Sequence, residues 1–250
     1  KLRPAEMLIF NSDGNFFTKT YWRIKFQKNN LQEKDYAKQL HDLLEESMDL
    51  RMVSDVPVGV LLSGGLDSSV IATIAAKKSK NELNTYTVGF EDKIDNSYNE
   101  LEESKEMAGI LGTNHHEIIV NSNDAFKLLD KVTLCLDEPF GNPTTTLNYI
   151  ISQFASKTSK VVLSGVGGDE MFGGYPKYRA LQIYEEYKKF PKSLVKKFGG
   201  IFQKIPESMS ESIVKGKIFF DAWKENPEDQ YYALITYYKE KEKEELLNFK

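Results

Sequence analysis

Two short stretches combine residue types that meet where phosphate and metal are handled. The first is Ser63-Gly64-Gly65-Leu66-Asp67-Ser68-Ser69, set between the apolar run Val58–Leu62 and the helical run Val70–Ala76. Its glycines let the backbone turn tightly and present bare N–H groups to an anion. The following helix adds unpaired N-terminal N–H groups and the positive end of its dipole. Ser63, Ser68 and Ser69 supply hydroxyls. The turn suits phosphate, although it is not a Walker A loop, because that spacing and its lysine are missing. A carboxylate in an anion site, here Asp67, makes sense when a divalent cation bridges it to phosphate. The second stretch, Ser164-Gly165-Val166-Gly167-Gly168-Asp169-Glu170, repeats the scheme after the apolar run Val161–Leu163.

The elements that must hold these loops follow from periodicity. Strands are expected over Val56–Leu62, Asn84–Phe90, His115–Val120 and Val161–Leu163, the last as a fourth buried strand. Helices are expected over Leu31–Val53, Leu66–Lys78, Tyr98–Leu111 with Gly112 closing it, Asp124–Leu136 and Thr145–Lys157. This alternation implies an α/β fold with an open, mostly parallel sheet. Both loops then lie at C-terminal strand ends, facing each other if the first and fourth strands are neighbours. Before this, Leu8–Phe10 and Phe16–Phe26 flank an Asn-Ser-Asp-Gly-Asn turn and read as a short β hairpin, with Lys28–Asn30 as linker. After Tyr178 the chain reads as helical, punctuated by Pro191, Pro206 and Pro227, with aromatic core residues between Phe190 and Tyr238.

Composition narrows the class. With 250 residues, 40% hydrophobic and 28% charged, the chain can build a sizeable core as a globular protein. A net charge of -4 argues against nucleic acid as the main partner. No apolar run suggests a membrane helix or signal peptide, so no membrane partner is expected. The single cysteine, Cys135, fits a reducing cytoplasm and sits in the apolar run Val132–Leu136, where a buried structural thiol is expected. The chain opens on Lys1 and reads as a piece of a longer one.

Ser-Gly-Gly-Leu-Asp-Ser-Ser resembles the pyrophosphate loop of the N-type ATP pyrophosphatases, the adenine-nucleotide α-hydrolase (PP-loop) type. Its pairing with Ser164-Gly165-x-Gly167-Gly168-Asp169-Glu170 resembles the synthetase domain of glutamine-dependent asparagine synthetases. Val56-Pro57-Val58-Gly59, Leu111–Glu117 and Asp137-Glu138-Pro139-Phe140 agree with that family, and Lys1–Pro4 with Tyr21-Trp22 is similar to the end of its glutaminase domain. The resemblance implies domains at 1–30 (end of a glutaminase-like domain and linker), 31–180 (synthetase) and 181–250 (helical continuation). It implies that Ser63, Gly64, Gly65, Asp67 and Ser68 hold the pyrophosphate end of ATP. Asp67 and Asp169 would be the catalytic carboxylates that bind Mg²⁺, and Leu61, Val88, Ser164 and Gly165 would contact the adenosine. The implied reaction is ATP-dependent amidation of a carboxylic acid through an acyl-adenylate, aspartate to asparagine, with ammonia from a glutaminase domain. A homodimer is compatible with it.

The departures are specific. Val166 stands where asparagine synthetases carry Glu, and Asn142 where many relatives are acidic; the nucleophilic cysteine and the family's late Arg-Val-Pro-Phe-Leu-Asp segment are absent. Another acid acceptor therefore stays open, as does a regulator that only binds nucleotide. His115-His116-Glu117 is no metal site on a strand, since neighbours point to opposite faces; one packed and one exposed His is expected. Asp137 and Glu138 suit a loop or helix cap and remain a weak substrate-side candidate. Tyr175, Lys177 and Arg179 either reach phosphate or face solvent.

Overall fold

The computed structural model describes residues 1–27, 29–79, 81–91, 99–137, 140–142, 144–189, 191–206, 211–236, 238 and 240–247. Contacts divide the chain into two compact units, Lys1–Val53 and Ser54–Lys250.

In the first unit, β1 (Glu6–Phe10) and β2 (Phe16–Thr20) pair antiparallel, closed by Phe10 opposite Phe16. Asp13 shapes the turn by accepting hydrogen bonds from the backbone N–H of Asn15 at 3.1 Å and from its side-chain amide at 2.9 Å, while Gly14 takes φ +86°. The second strand stops at Thr20, short of Phe26, because pairing ends where β1 runs out of partners at Glu6. Helix α1 (Glu33–Met52) starts where the Asp35 carboxylate accepts from the Gln32 N–H at 3.3 Å. Lys28 of the expected linker lies outside the described residues.

The second unit contains a parallel four-stranded sheet in the order β5 (Asn114–Val120), β4 (Asn84–Phe90), β3 (Val58–Leu61), β6 (Val161–Leu163). The chain moves outward from β3 to β5, then returns to lay β6 on the other side of β3. Strand order therefore reverses between β3 and β6, as the loop argument required. β6 is not a buried strand, however. It is the sheet edge, with Val161 39% exposed, because only β3 pairs with it.

Tyr86, Ile151 and Ala155 are the buried centre of a cluster flanked by Leu61, Val88, Ile118, Phe154 and Val162. The Tyr86 hydroxyl shares hydrogen bonds with Thr158 at 2.7 Å and Ser159 at 2.6 Å, which satisfies its one polar group. Gly59 leaves room for that ring, since a Cβ there would come within 2.6 Å of it.

Helix α2 (Leu66–Lys78) follows β3, and α3 (Leu101–Leu111) ends at Gly112, whose φ of +64° permits the left-handed cap. Tyr98, the expected start of α3, lies outside the described residues. The expected helix 124–136 is two short ones, α4 (Ser122–Lys127) and α5 (Leu129–Leu134), joined at Leu128. Cys135 lies just past α5 and is exposed, contrary to the buried thiol expected; Val132 is the buried member of that run, and Leu134 is 87% exposed. Apolar content was read there as burial, but a six-residue helix covers one face only.

The remaining helices are α6 (Thr144–Ala155), α7 (Gly168–Phe172), α8 (Pro176–Glu186), α9 (Lys192–Gln203), α10 (Glu211–Lys224), α11 (Pro227–Ile235) and α12 (Glu240–Leu247). Ala180, Tyr184 and Ala222 are buried together against Phe219 and Trp223. The Tyr184 hydroxyl donates to the Phe219 carbonyl at 2.7 Å, and burial raises its pKa. Other aromatics of this region, Phe198, Tyr232 and Tyr238 among them, are exposed rather than core.

Candidate active site

A cavity of about 710 Å³ opens at the C-terminal ends of β3, β4 and β6, between the two glycine-rich loops. Leu61, Ser63, Gly65, Asp67, Ser68, Val88, Ser164, Gly165 and Asp169, all singled out from the sequence, line it.

Gly64 does not. Its φ is +78°, and a Cβ there would meet Glu103 Cβ at 2.6 Å and the Ser104 N at 2.8 Å. It turns the backbone and wedges the loop against α3, which leaves Gly65 to face the cavity. Ser69 also lies outside the lining, its carbonyl accepting from the Thr73 hydroxyl at 2.7 Å.

The first loop is fastened by hydrogen bonds. Ser63 N–H donates to Ser68 Oγ at 3.2 Å, Gly65 N–H donates to Ser63 Oγ at 3.3 Å, and the two hydroxyls meet at 2.8 Å. Ser68 Oγ also donates to the Gly65 carbonyl at 3.1 Å.

The second loop abuts the first. A Cβ on Gly165 would lie 2.6 Å from Ser68 N, and one on Gly168 would lie 2.0 Å from the Asp67 carboxylate. One on Gly174 would lie 1.9 Å from Asp169 Oδ1, so both aspartates are packed against glycine backbone. Such contact forces glycine at all three positions.

Several lining residues carried no sequence signal. Glu100, which immediately precedes α3, faces the cavity, as do Tyr86, Thr87, Asn148, Ile151 and Phe172. Burial raises the Glu100 pKa above the usual carboxylate value of 4.5, Glu103 adds to this, and a hydrogen bond with the Ser63 side chain opposes it. Nothing local in the sequence reports which residue of a loop turns inward. Asp67, Glu100 and Asp169 are all acidic, and no Lys, Arg or His stands among the described lining residues.

Tyr175 also lines the cavity. Its hydroxyl donates to Glu170 at 2.9 Å, which holds its pKa at about 12. Lys177 Nζ sits over the rings of Tyr175 at 4.4 Å, Tyr231 at 5.4 Å and Tyr178 at 5.6 Å, while Arg179 donates to Gln182 at 2.6 Å. Neither cation is in the lining. Asp137 is exposed and outside it, Glu138 is beyond the described residues, and Asn142 caps α6 by accepting from Thr144 N–H at 3.0 Å.

His115 and His116 point to opposite sheet faces, but neither is exposed. His115 Nδ1 bonds Thr85 Oγ1 at 2.9 Å, and His116 Nε2 bonds Asn84 Oδ1 at 2.9 Å while its ring stacks on Tyr86. Burial lowers the His115 pKa from 6.5, despite Glu117 at 3.6 Å. No group of three or more metal-ligating side chains occurs among the described residues.

Comparison with known proteins agrees with this arrangement. The chain is 31% identical over 247 residues to the glutamine-hydrolysing asparagine synthetase 1 of Bacillus subtilis, covering 99% of this chain and 38% of that protein. It is 36% identical over 196 residues to the putative glutamine-hydrolysing asparagine synthetase 2 of Methanocaldococcus jannaschii, covering 78% of this chain and 37% of that one. The chain therefore spans less than two-fifths of the length of these relatives. Among solved structures, the ammonia-dependent NAD synthetase of Campylobacter jejuni is 13% identical, with 80% of this chain and 96% of that one covered at a TM-score of 0.35. The asparagine synthase family model matches residues 39–246, bringing both loops, the cavity and the sheet beneath them into one alignment, and the chain belongs to that family.

Proposed function

We propose that this chain carries the synthetase site of a cytoplasmic enzyme that uses ATP to amidate a carboxylic acid, with aspartate as acceptor and ammonia delivered by a glutaminase domain. Residues 1–30 would end that domain, and residues 31–250 would belong to the synthetase. The observation that carries the proposal is the contact of the two loops: Asp67 of one lies against Gly168 of the other, so both carboxylates edge a single cradle.

The donor set fits Mg²⁺. Asp67 and Asp169 offer hard oxygen ligands beside an acidic cavity, and phosphate oxygens would complete the shell. When bound, Mg²⁺ supplies the positive charge that lets a carboxylate approach a triphosphate and pyrophosphate depart. The chain's own residues do the rest. Leu61 and Val88 offer an apolar wall to adenine, Ser164 and Gly165 sit at the sugar end, and Ser63, Gly65 and Ser68 turn the phosphates. Held in line, an acceptor carboxylate oxygen attacks the α-phosphorus, and the Pα–O bond to pyrophosphate breaks with its electron pair leaving on pyrophosphate. Ammonia then attacks the acyl carbon, AMP leaves with the C–O pair, and the surplus proton passes to solvent.

A second acceptor class has one observation in its favour. Val166 is 90% exposed and lines the cavity where asparagine synthetases resemble one another in carrying Glu, so the acid that meets this edge finds an apolar side chain. The test is pyrophosphate release by the full-length protein with ATP, Mg²⁺ and ammonium over a panel of acids. Release with aspartate alone supports asparagine synthesis, and release with a sugar acid or peptide carboxylate moves the assignment to that acid. Nucleotide binding without release on any acid overturns the enzymatic reading in favour of a regulator.

A further inference from the structure

The polar contacts of the first loop contain a proton shortage. Three contacts run in series: the Glu100 carboxyl with the Ser63 side chain, Ser63 Oγ with Ser68 Oγ at 2.8 Å, and Ser68 Oγ with the Gly65 carbonyl at 3.1 Å. Each needs one proton between its oxygens, and the two hydroxyls hold two. With Glu100 ionised, one contact is left as a bare oxygen pair. With Glu100 protonated, the three are satisfied in one direction, from Glu100 to Ser63 to Ser68 to the Gly65 carbonyl.

We propose that Glu100 is a positioning residue of the phosphate loop that takes up a proton when polyphosphate binds. The proposal rests on the nucleotide reading of the site. Phosphate entering this cavity meets Asp67, Glu100 and Asp169 and no cationic lining residue among those described. Asp67 and Asp169 are engaged with metal in that reading, which leaves Glu100 to shed its charge as the acid. The proton removes one repulsive charge and locks the orientation of both serine hydroxyls beneath the phosphates.

The surroundings favour that state before any ligand arrives, since burial and Glu103 on the same helix raise the Glu100 pKa. The elements packed against α3 offer little to reverse it. Asp67 on α2 is acidic, Lys77 and Lys78 sit at the far end of that helix, and β4 presents Thr87 and Val88. Lys105, further along α3, acts on His115 of β5 beside Glu117.

Calorimetric titration of the full-length protein with ATP and Mg²⁺ at about pH 6, in buffers of different ionisation enthalpy, reads the protons bound per nucleotide. Wild type and Glu100→Gln are compared, so the ionisation of ATP itself cancels. The wild type is expected to take up an additional sizeable fraction of one proton. Its affinity should fall severalfold more than that of Glu100→Gln between about pH 6 and pH 8. Ser63→Ala, which keeps Glu100 but breaks the series, should lower the uptake as well, and it supplies the comparison if Glu100→Gln does not bind. Equal uptake by wild type and both binding variants overturns the role of Glu100 and leaves the nucleotide reading standing. A wild type that binds no nucleotide overturns both.

Discussion

The two glycine-rich loops look alike in sequence and differ in construction. The Ser63–Ser68 loop is closed on itself by four hydrogen bonds among Ser63, Gly65 and Ser68, and Gly64 is wedged against α3. The Ser164–Tyr175 segment touches the first loop at Gly165 and Gly168, but beyond these contacts it opens. Gly167 and Gly173 take φ of +105° and +71° with nothing near a built Cβ, and Val166, Met171 and Phe172 are 90%, 73% and 68% exposed. Phosphate is the same in every reaction of this kind, whereas the acceptor acid varies. A preorganised loop serves the constant partner, and an open one can change residues without cost to the fold.

Removing charge at the contact between the loops should have the largest effect. Asp67→Asn keeps the shape, and its side chain serves the metal and not the core. Turnover is expected to fall at least about 1,000-fold, roughly 4 kcal/mol of barrier. The unfolding free energy should stay within about 0.5 kcal/mol. Near-normal pyrophosphate release would remove Asp67 from the metal site.

The contrast in rigidity is tested by alanine at two glycines that share a left-handed backbone. At Gly64 the new Cβ pays both strain and collision with α3, so Gly64→Ala should lose about 3 kcal/mol or more in denaturant unfolding. Gly167→Ala meets open space and should lose about 1–2 kcal/mol from strain alone. Equal losses would show the two loops to be equally fixed.

Much of this was readable in the sequence because it depends on local rules. Helix α2 and strand β4 have the bounds expected, Gly112 caps α3, and reversal of strand order beside β3 follows from the alternation of elements. What escaped depends on direction in space. Gly64 and Gly65 are indistinguishable in a motif, and only the position of α3 turns one away from the cavity. Glu100 lies 37 residues from Ser63 in the chain and meets it through the β4–α3 connection. Cys135 and Val161 were read as buried from apolar neighbours, yet a short helix and an edge strand each leave a face uncovered.

The open loop should tolerate change and register it in specificity. Val166→Glu restores the residue that the family resemblance leads one to expect, on a side chain already 90% exposed. Stability should move by no more than about 0.5 kcal/mol. The ratio of turnover on aspartate to turnover on other acids should shift about tenfold, or 1.4 kcal/mol. An unchanged ratio would place acceptor choice elsewhere.

The smallest effect is expected at the other end of the sheet, where polar groups serve the fold alone. His115 pairs with Thr85 at 2.9 Å near the start of β4, far along the strands from either loop, and burial lowers its pKa from 6.5. A histidine held neutral in the folded state binds fewer protons than it does unfolded. Its contribution to stability is therefore complete above about pH 6.5 and is lost as pH falls from there toward the depressed folded value. The slope is limited to about 1.4 kcal/mol per pH unit, the maximum for one group. His115→Gln has no proton to gain, so unfolding curves of wild type and variant should converge in their pH dependence above about pH 7 and part below about pH 6. The Glu100 carboxyl bends the curve the other way, since a raised acid pKa favours the folded state as pH falls, and Glu100→Gln should remove that bend. If His115→Gln instead alters nucleotide affinity while leaving the stability profile unchanged, the separation between a structural strand start and a functional strand end is wrong.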